Sequence, residues 1–146
     1  MAAPALRGLH RREPHGARPR ALRPDWEAGL GYWTLRRRED DAFVGIGGVR
    51  LVDDRVWNVY YRIAVEHQGH GYATEVVRAA LDAAAEVGPD VPVVAYLLDH
   101  NAASRRTAER CGLREVWRGP DKEVPGGTRL VFADRDLPES ALAVTT

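Results

Sequence analysis

Between Gly31 and Val65 the apolar residues gather into three short runs. "YWTLRRR" (32–38) leads through "EDDA" to "FVGIGGVRLV" (43–52), and "DDR" leads on to "VWNVYYRIAV" (56–65). Runs of this length, rich in β-branched and aromatic residues and closed by short polar turns, predict an antiparallel meander. Past the third run the period becomes helical. Val76, Val77, Ala80, Leu81, Ala84 and Val87 form an apolar stripe, with Arg78, Asp82 and Glu86 elsewhere on the wheel. Gly88–Pro89 stops that helix. "VPVVAYLL" (91–98) is a continuous apolar run of strand length, which predicts a strand covered on both faces. Asn101 is placed to N-cap a helix over "AASRRTAERC", with Gly112 at the C′ position behind Cys111. "LREVW" (113–117) and "TRLVFAD" (128–134) predict two last strands, joined by a loop holding Pro125, Gly126 and Gly127. The expected fold class is α+β, with a mixed, mainly antiparallel sheet flanked by helices.

The segment from Met1 to Pro24 lacks either period. It carries six arginines (7, 11, 12, 18, 20 and 23) against one acid, Glu13, and prolines at 4, 14, 19 and 24. We read residues 1–24 as an irregular basic arm and residues 25–140 as one domain. An arm of this kind can hold RNA or an acidic partner, although a solvated tail is the simpler reading. The 146 residues balance 21 basic against 21 acidic side chains. Net charge therefore supplies no general attraction to nucleic acid or to an anionic membrane. No apolar run reaches the roughly 18 residues of a membrane helix, and residues 1–10 lack the apolar core of a secretory signal. Cys111 is the one cysteine, so there is no internal disulfide, and the expected location is the cytoplasm. The simplest reading of Cys111 is a small core residue.

The nine residues "HQGHGYATE" (67–75) stand where a strand turns into a helix. Gly69, Gly71 and Ala73 remove side-chain bulk there, so several backbone N–H groups can converge on one point. The N–H groups of a helix start have no partner of their own, and the helix dipole adds partial positive charge. Such a place binds a phosphate or pyrophosphate, with Gln68, His70 and Thr74 available as donors at its rim. Two other readings use the same residues. One is a glycine turn with no ligand. The other is a metal held by His67 and His70, but these do not share a face and no third ligand is near in sequence. Gly45, Gly47 and Gly48 fall within strands, where a bulge or a close backbone approach explains them better than a dinucleotide fingerprint.

The stretch Gln68-Gly69-His70-Gly71-Tyr72-Ala73 resembles the Q/R-x-x-G-x-G/A signature of the GNAT acyltransferase superfamily. "GYATEVVRAAL" resembles the start of that family's long helix. "NAASRRTAERCGL" (101–113) is similar to the N-x-x-S…G-F stretch of the RimJ/RimL-like branch, which acetylates protein N-terminal amines. The resemblance implies the acyl-CoA N-acyltransferase fold with acetyl-CoA as co-substrate. It places the pyrophosphate on the backbone of Gln68 to Thr74, including Tyr72 and Ala73. It pairs the strand edge Ile63, Ala64 and Val65 with the pantetheine arm and puts Asn101 against that arm. Family members splay the two central strands apart, and the thioester lies in the gap.

The implied reaction is direct attack of a neutral primary amine on the thioester. Many family members carry a tyrosine seven residues after the asparagine as general acid, but that position here is Ala108. In the RimJ/RimL-like branch a serine three residues after the asparagine takes the role, which transfers to Ser104. A serine at that helical position also serves simply to satisfy a helix start. Glu66, Asp99, His100, Glu115 and Glu123 are candidate bases, none singled out. Trp57, Tyr60 and Tyr61 either line the acceptor cleft or belong to the core. The family places a strand and two helices before the meander. Here that first strand and those helices are expected to be reduced or missing, leaving apolar surface exposed and a homodimer favoured. Two alternatives to the enzyme follow: an inactive domain that binds coenzyme A, and an RNA- or ribosome-associated module acting through the arm.

Overall fold

The computed structural model describes residues 5–7 and 30–146. The meander is present. Strands β2 (Gly31–Arg37), β3 (Phe43–Val52) and β4 (Val56–Ile63) pair antiparallel in sequence order. The long helix α1 runs Tyr72–Val87, β5 runs Val93–Leu98, and the shorter helix α2 runs Ala102–Arg110. β6 (Arg114–Pro120) and β7 (Thr128–Ala133) close the sheet. The strand order, with the edge strand β1 (Leu6–Arg7), is β1-β2-β3-β4-β5-β7-β6. Every pairing is antiparallel except β4 with β5. The α+β expectation is met.

Two elements differ from the expected order. Leu6 and Arg7, inside the segment read as an irregular arm, pair with Arg37 and Arg36 of β2. Leu6 is fully buried, and the Glu75 carboxylate of α1 accepts the N–H groups of Leu6 at 2.7 Å and Ala5 at 3.2 Å. A two-residue strand has no period to read, and its partners lie some thirty to seventy residues away. The first strand is thus reduced but present, and the rest of the arm lies outside the described residues. The second difference is a C-terminal helix, α3 (Glu139–Thr145), which crosses residue 140. Its seven residues span too few turns to show a stripe.

Alternation along the strands sorts side chains to two faces. Trp33, Leu35, Val49, Trp57, Val59, Val93, Ala95, Leu97, Leu130 and Phe132 pack beneath α1 with Val76, Val77, Ala80 and Ala84. Val56, Val94, Val131 and Ala133 face the other way, against Ala141 of α3. β5 contributes to both layers, as its unbroken apolar run implies. On the α3 side the uncovered part of the sheet exposes Tyr32, Ile46 and Tyr60.

The loop before β7 is held by Asp121. Its carboxylate pairs with Arg129 at 2.8 Å and accepts the N–H groups of Glu123 and Val124. The Arg129 guanidinium foremost, aided by those two N–H groups, holds the carboxyl below its unfolded value near 3.8. A depressed carboxyl stabilises the fold above the unfolded value and loses that contribution as pH falls through the folded one. Acid unfolding followed by circular dichroism below pH 4 should therefore show an Asp121-dependent loss. Asp121→Asn should lower stability at neutral pH and flatten the acid limb.

Candidate active site

β4 and β5 touch only at their beginnings. Trp57 pairs with Val93 and Asn58 with Val94. Beyond that rung Val59–Ile63 has no β5 partner, so the two central strands part. The gap faces the end of β4, a 3-10 turn over Val65–His67, and then the start of α1.

Local bonds shape this turn. Ala64 N–H donates to the Val44 carbonyl at 2.9 Å, Gln68 N–H donates to the Val65 carbonyl, and the Gln68 side-chain amide donates to the Ile63 carbonyl at 3.0 Å. Gln68 therefore braces the turn, and Ala64 faces β3 with its N–H, so neither offers a free backbone donor. Gly69 and Gly71 both take left-handed φ, +81° and +78°. The first helical bond is from Glu75 N–H to the Gly71 carbonyl. Among the described residues no acceptor meets the N–H of Gly69, His70, Gly71, Tyr72, Ala73 or Thr74. A Cβ built on Gly69 or Gly71 would meet nothing within 4 Å. Six successive unpaired donors beside open space fit an anionic pyrophosphate, and the positive end of α1 favours it further. His67 N–H closes the 3-10 turn on the Ala64 carbonyl at 2.9 Å, but no hydrogen bond from either the His67 or the His70 side chain braces it among the described residues. The His70 ring lies 5.6 Å from that of Tyr72, and Tyr72 itself is buried in the core.

Across the gap, Asn101 follows β5 and caps α2. Its Oδ1 accepts the Ser104 N–H at 3.1 Å, leaving the amide end exposed toward solvent. Ser104 is half-buried, and its hydroxyl faces the phenol of Tyr61, which also meets Thr107. Burial pushes the Tyr61 phenol up, against the pull of those two hydroxyls. Tyr61 is one of the three aromatic residues, with Trp57 and Tyr60, that the sequence left undecided between cleft and core. It packs on the α1 side of β4, Tyr60 is exposed on the opposite side, and Trp57 is core, its Nε1 donating to the Gly88 carbonyl. The alternation of β4 could have separated Tyr60 from Tyr61, but not shown that Tyr61 meets α2.

Ala108, where many family members carry the acid, is buried. Cys111 is half-buried at the end of α2, and its thiol donates to the Thr74 carbonyl at 3.7 Å. Glu66, Asp99, His100, Glu115 and Glu123 are all exposed. Glu115 is bound by Arg118 at 2.9 Å, and that guanidinium holds its carboxyl below the ordinary range, which weakens it as a base. Glu66 lies in the turn at the end of β4 and Asp99 and His100 directly precede Asn101, whereas Glu115 lies on β6 and Glu123 in the loop after it.

The chain matches the Acetyltransferase (GNAT) domain family over residues 9–114. The match begins within the segment read as an arm and takes in the turn, α1 and α2. The chain is 30% identical over 88 residues to the uncharacterized protein YkkB of Bacillus subtilis, covering 58% of this chain and 51% of that one. It thus spans about half the length of this curated relative. Among solved structures it is similar to a Bordetella pertussis protein assigned to the GNAT acetyltransferases. That likeness has a TM-score of 0.65 at 24% identity, over 75% of this chain and 69% of the other. It is also similar to the ribosomal-protein-S5-alanine acetyltransferase of Vibrio fischeri, with a TM-score of 0.62 at 13% identity over 74% and 62%. At these identities the likenesses speak for the fold alone. The sequence match covers well over half of the chain, and on that ground the chain belongs to the GNAT acetyltransferase family.

Proposed function

We propose that this protein transfers the acetyl group of acetyl-CoA to a primary amine, either a protein N-terminal α-amine or a small-molecule amine. The observation that carries the reading is the unpaired N–H run from Gly69 to Thr74 beside the opening between β4 and β5. The residues that would hold the pyrophosphate are Gly69, His70, Gly71, Tyr72, Ala73 and Thr74. Ile63 and Val65 edge the gap on one side and Asn101 on the other. Bound acetyl-CoA supplies an activated thioester, so the protein has no covalent chemistry of its own to perform. Its contribution is to hold the amine in attack geometry and to keep the site closed to water. An α-amine with a pKa of about 8 is already about one tenth neutral at pH 7, so no strongly placed base is demanded.

Ser104, supported by Tyr61 behind it, gives a proton to the departing thiolate, and the proton that the attacking amine loses to solvent restores the serine. A thiol with a pKa of roughly 8.5 leaves without much help, so the effect should be modest. Ser104→Ala is expected to lower kcat about tenfold, below the usual range of about 100- to 10,000-fold for one acid group because the thiol is already a good leaving group. Coenzyme A binding should be retained in a thermal-shift assay. Incubation with acetyl-CoA and a broad panel of peptides and small amines, read by release of free thiol, tests the activity. A coenzyme A thermal shift without turnover of any amine would instead identify an inactive binding domain.

A further inference from the structure

Three side-chain polar atoms are buried without a hydrogen-bond partner on the face of the sheet opposite α1: Arg50 Nε, Asn58 Oδ1 and Tyr96 Oη. Strand register puts them in one row. Arg50 is opposite Asn58, Asn58 is beside Val94, and Tyr96 follows two residues later on the same face of β5. Asn58 is the last paired rung of β4 with β5, so the row ends where the strands part. Tyr60, the next residue on that face of β4, packs its ring 5.3 Å from Tyr32, and the Arg50 guanidinium lies 6.0 Å from the Tyr32 centroid.

The charges in this row are unequal. Arg129 lies 5.4 Å from the Tyr96 ring, but its charge is matched by Asp121. Arg50 forms no ion pair among the described residues, and Asp53, whose charge acts on Tyr96, sits on the exposed turn between β3 and β4. One unpaired guanidinium and a phenolic hydroxyl make a donor set for one negative charge, and Asn58 Oδ1, an acceptor, is left for an N–H of the same ligand. Buried polar atoms without partners are costly, and a site that keeps them is built to satisfy them with a ligand. A guanidinium matches a carboxylate in both charge and shape, and it repels a polyamine.

We propose that Arg50 and Tyr96 bind the carboxylate of the acceptor, with Asn58 Oδ1 accepting from its amine, so that the amine acetylated is that of a free amino acid. This narrows the acetyl-transfer reading and rests on it. Position supports it: the row stands at the apex of the gap, which brings an amine adjoining the carboxylate to the opening between β4 and β5.

The test uses the full chain, acetyl-CoA, and the L-amino acids each paired with its C-terminal amide, together with short peptides and spermidine. Free thiol is followed to obtain kcat/KM. At least one free acid should be preferred over its own amide by about 10- to 100-fold, the range for a charged hydrogen bond. Arg50→Gln should reduce that preference to about twofold, mainly through KM, while the coenzyme A thermal shift persists and reports an intact fold. Tyr96→Phe, which removes only the hydroxyl, should reduce the preference several-fold. Amides, peptides or spermidine turned over as well as the acids would overturn the proposal. So would a preference unchanged in both variants, or a coenzyme A shift with no acid acetylated. Absence of any coenzyme A shift in the wild-type protein would instead remove the acetyl-transfer reading, and this inference with it.

Discussion

Gly71→Val is expected to abolish coenzyme A binding, weakening it by more than about 100-fold, while the folded domain survives. Gly71 is the residue before α1 and has φ +78° and ψ 9°. A β-branched side chain there costs on the order of 1–3 kcal/mol. The chain escapes that strain by rotating toward negative φ, which swings the Gly71 to Thr74 N–H groups out of convergence. Nothing within 4 Å receives the new Cβ, so no protein atom is displaced and the damage falls on whatever occupies the open space. In a thermal-shift assay at 100 times the dissociation constant the wild type should gain about 2.7 kcal/mol, and the variant nothing. His67→Ala should keep nearly the full shift, because the His67 side chain braces nothing in the turn. The opposite pair of results would reject the phosphate cradle.

Gly48→Ala should act in the reverse sense, on stability and not on the ligand. Gly48 pairs with Tyr32 on β2, and its φ is +155°. A Cβ there would lie 1.7 Å from the Gly31 carbonyl oxygen. That neighbour is backbone of the paired strand and cannot turn aside as a flexible side chain would. The β2–β3 pair must open locally, at a cost of about 3 kcal/mol. Urea unfolding should show a lowered midpoint with little change in slope. A variant as stable as the wild type would mean that the close approach is not needed. The two glycines thus separate by experiment: one is required by what lies outside the chain, the other by the chain itself.

Much of this was legible in the residue order. The bounds of β3, the start of β4 and the cap of α2 follow from alternation and from Asn101, because those signals are local. The Gly69–Gly71 turn is legible for the same reason, since both the left-handed glycines and the helix start are written within nine residues. Three features were not legible. β1 is two residues long and is held by Glu75, far along the chain. α3 is too short to show a stripe, and Ala141 joins a core built by strands before it. Gly48, with Gly45 and Gly47, was read as a bulge or a close backbone approach, and neither the choice between these nor the partner it approaches was legible.

What the sequence alone determines is therefore a set of short-range structures: the meander, the two longer helices, and a turn whose backbone donors are left unpaired. Only the tertiary structure decides that β4 and β5 pair at a single pair of rungs and then separate. It likewise brings Tyr61 to Ser104 and sets Arg50, Asn58 and Tyr96 in one row. The physical reason is register. Which residue stands beside which on neighbouring strands is set by packing against α1 and α3 over the whole sheet, and no local periodicity encodes it.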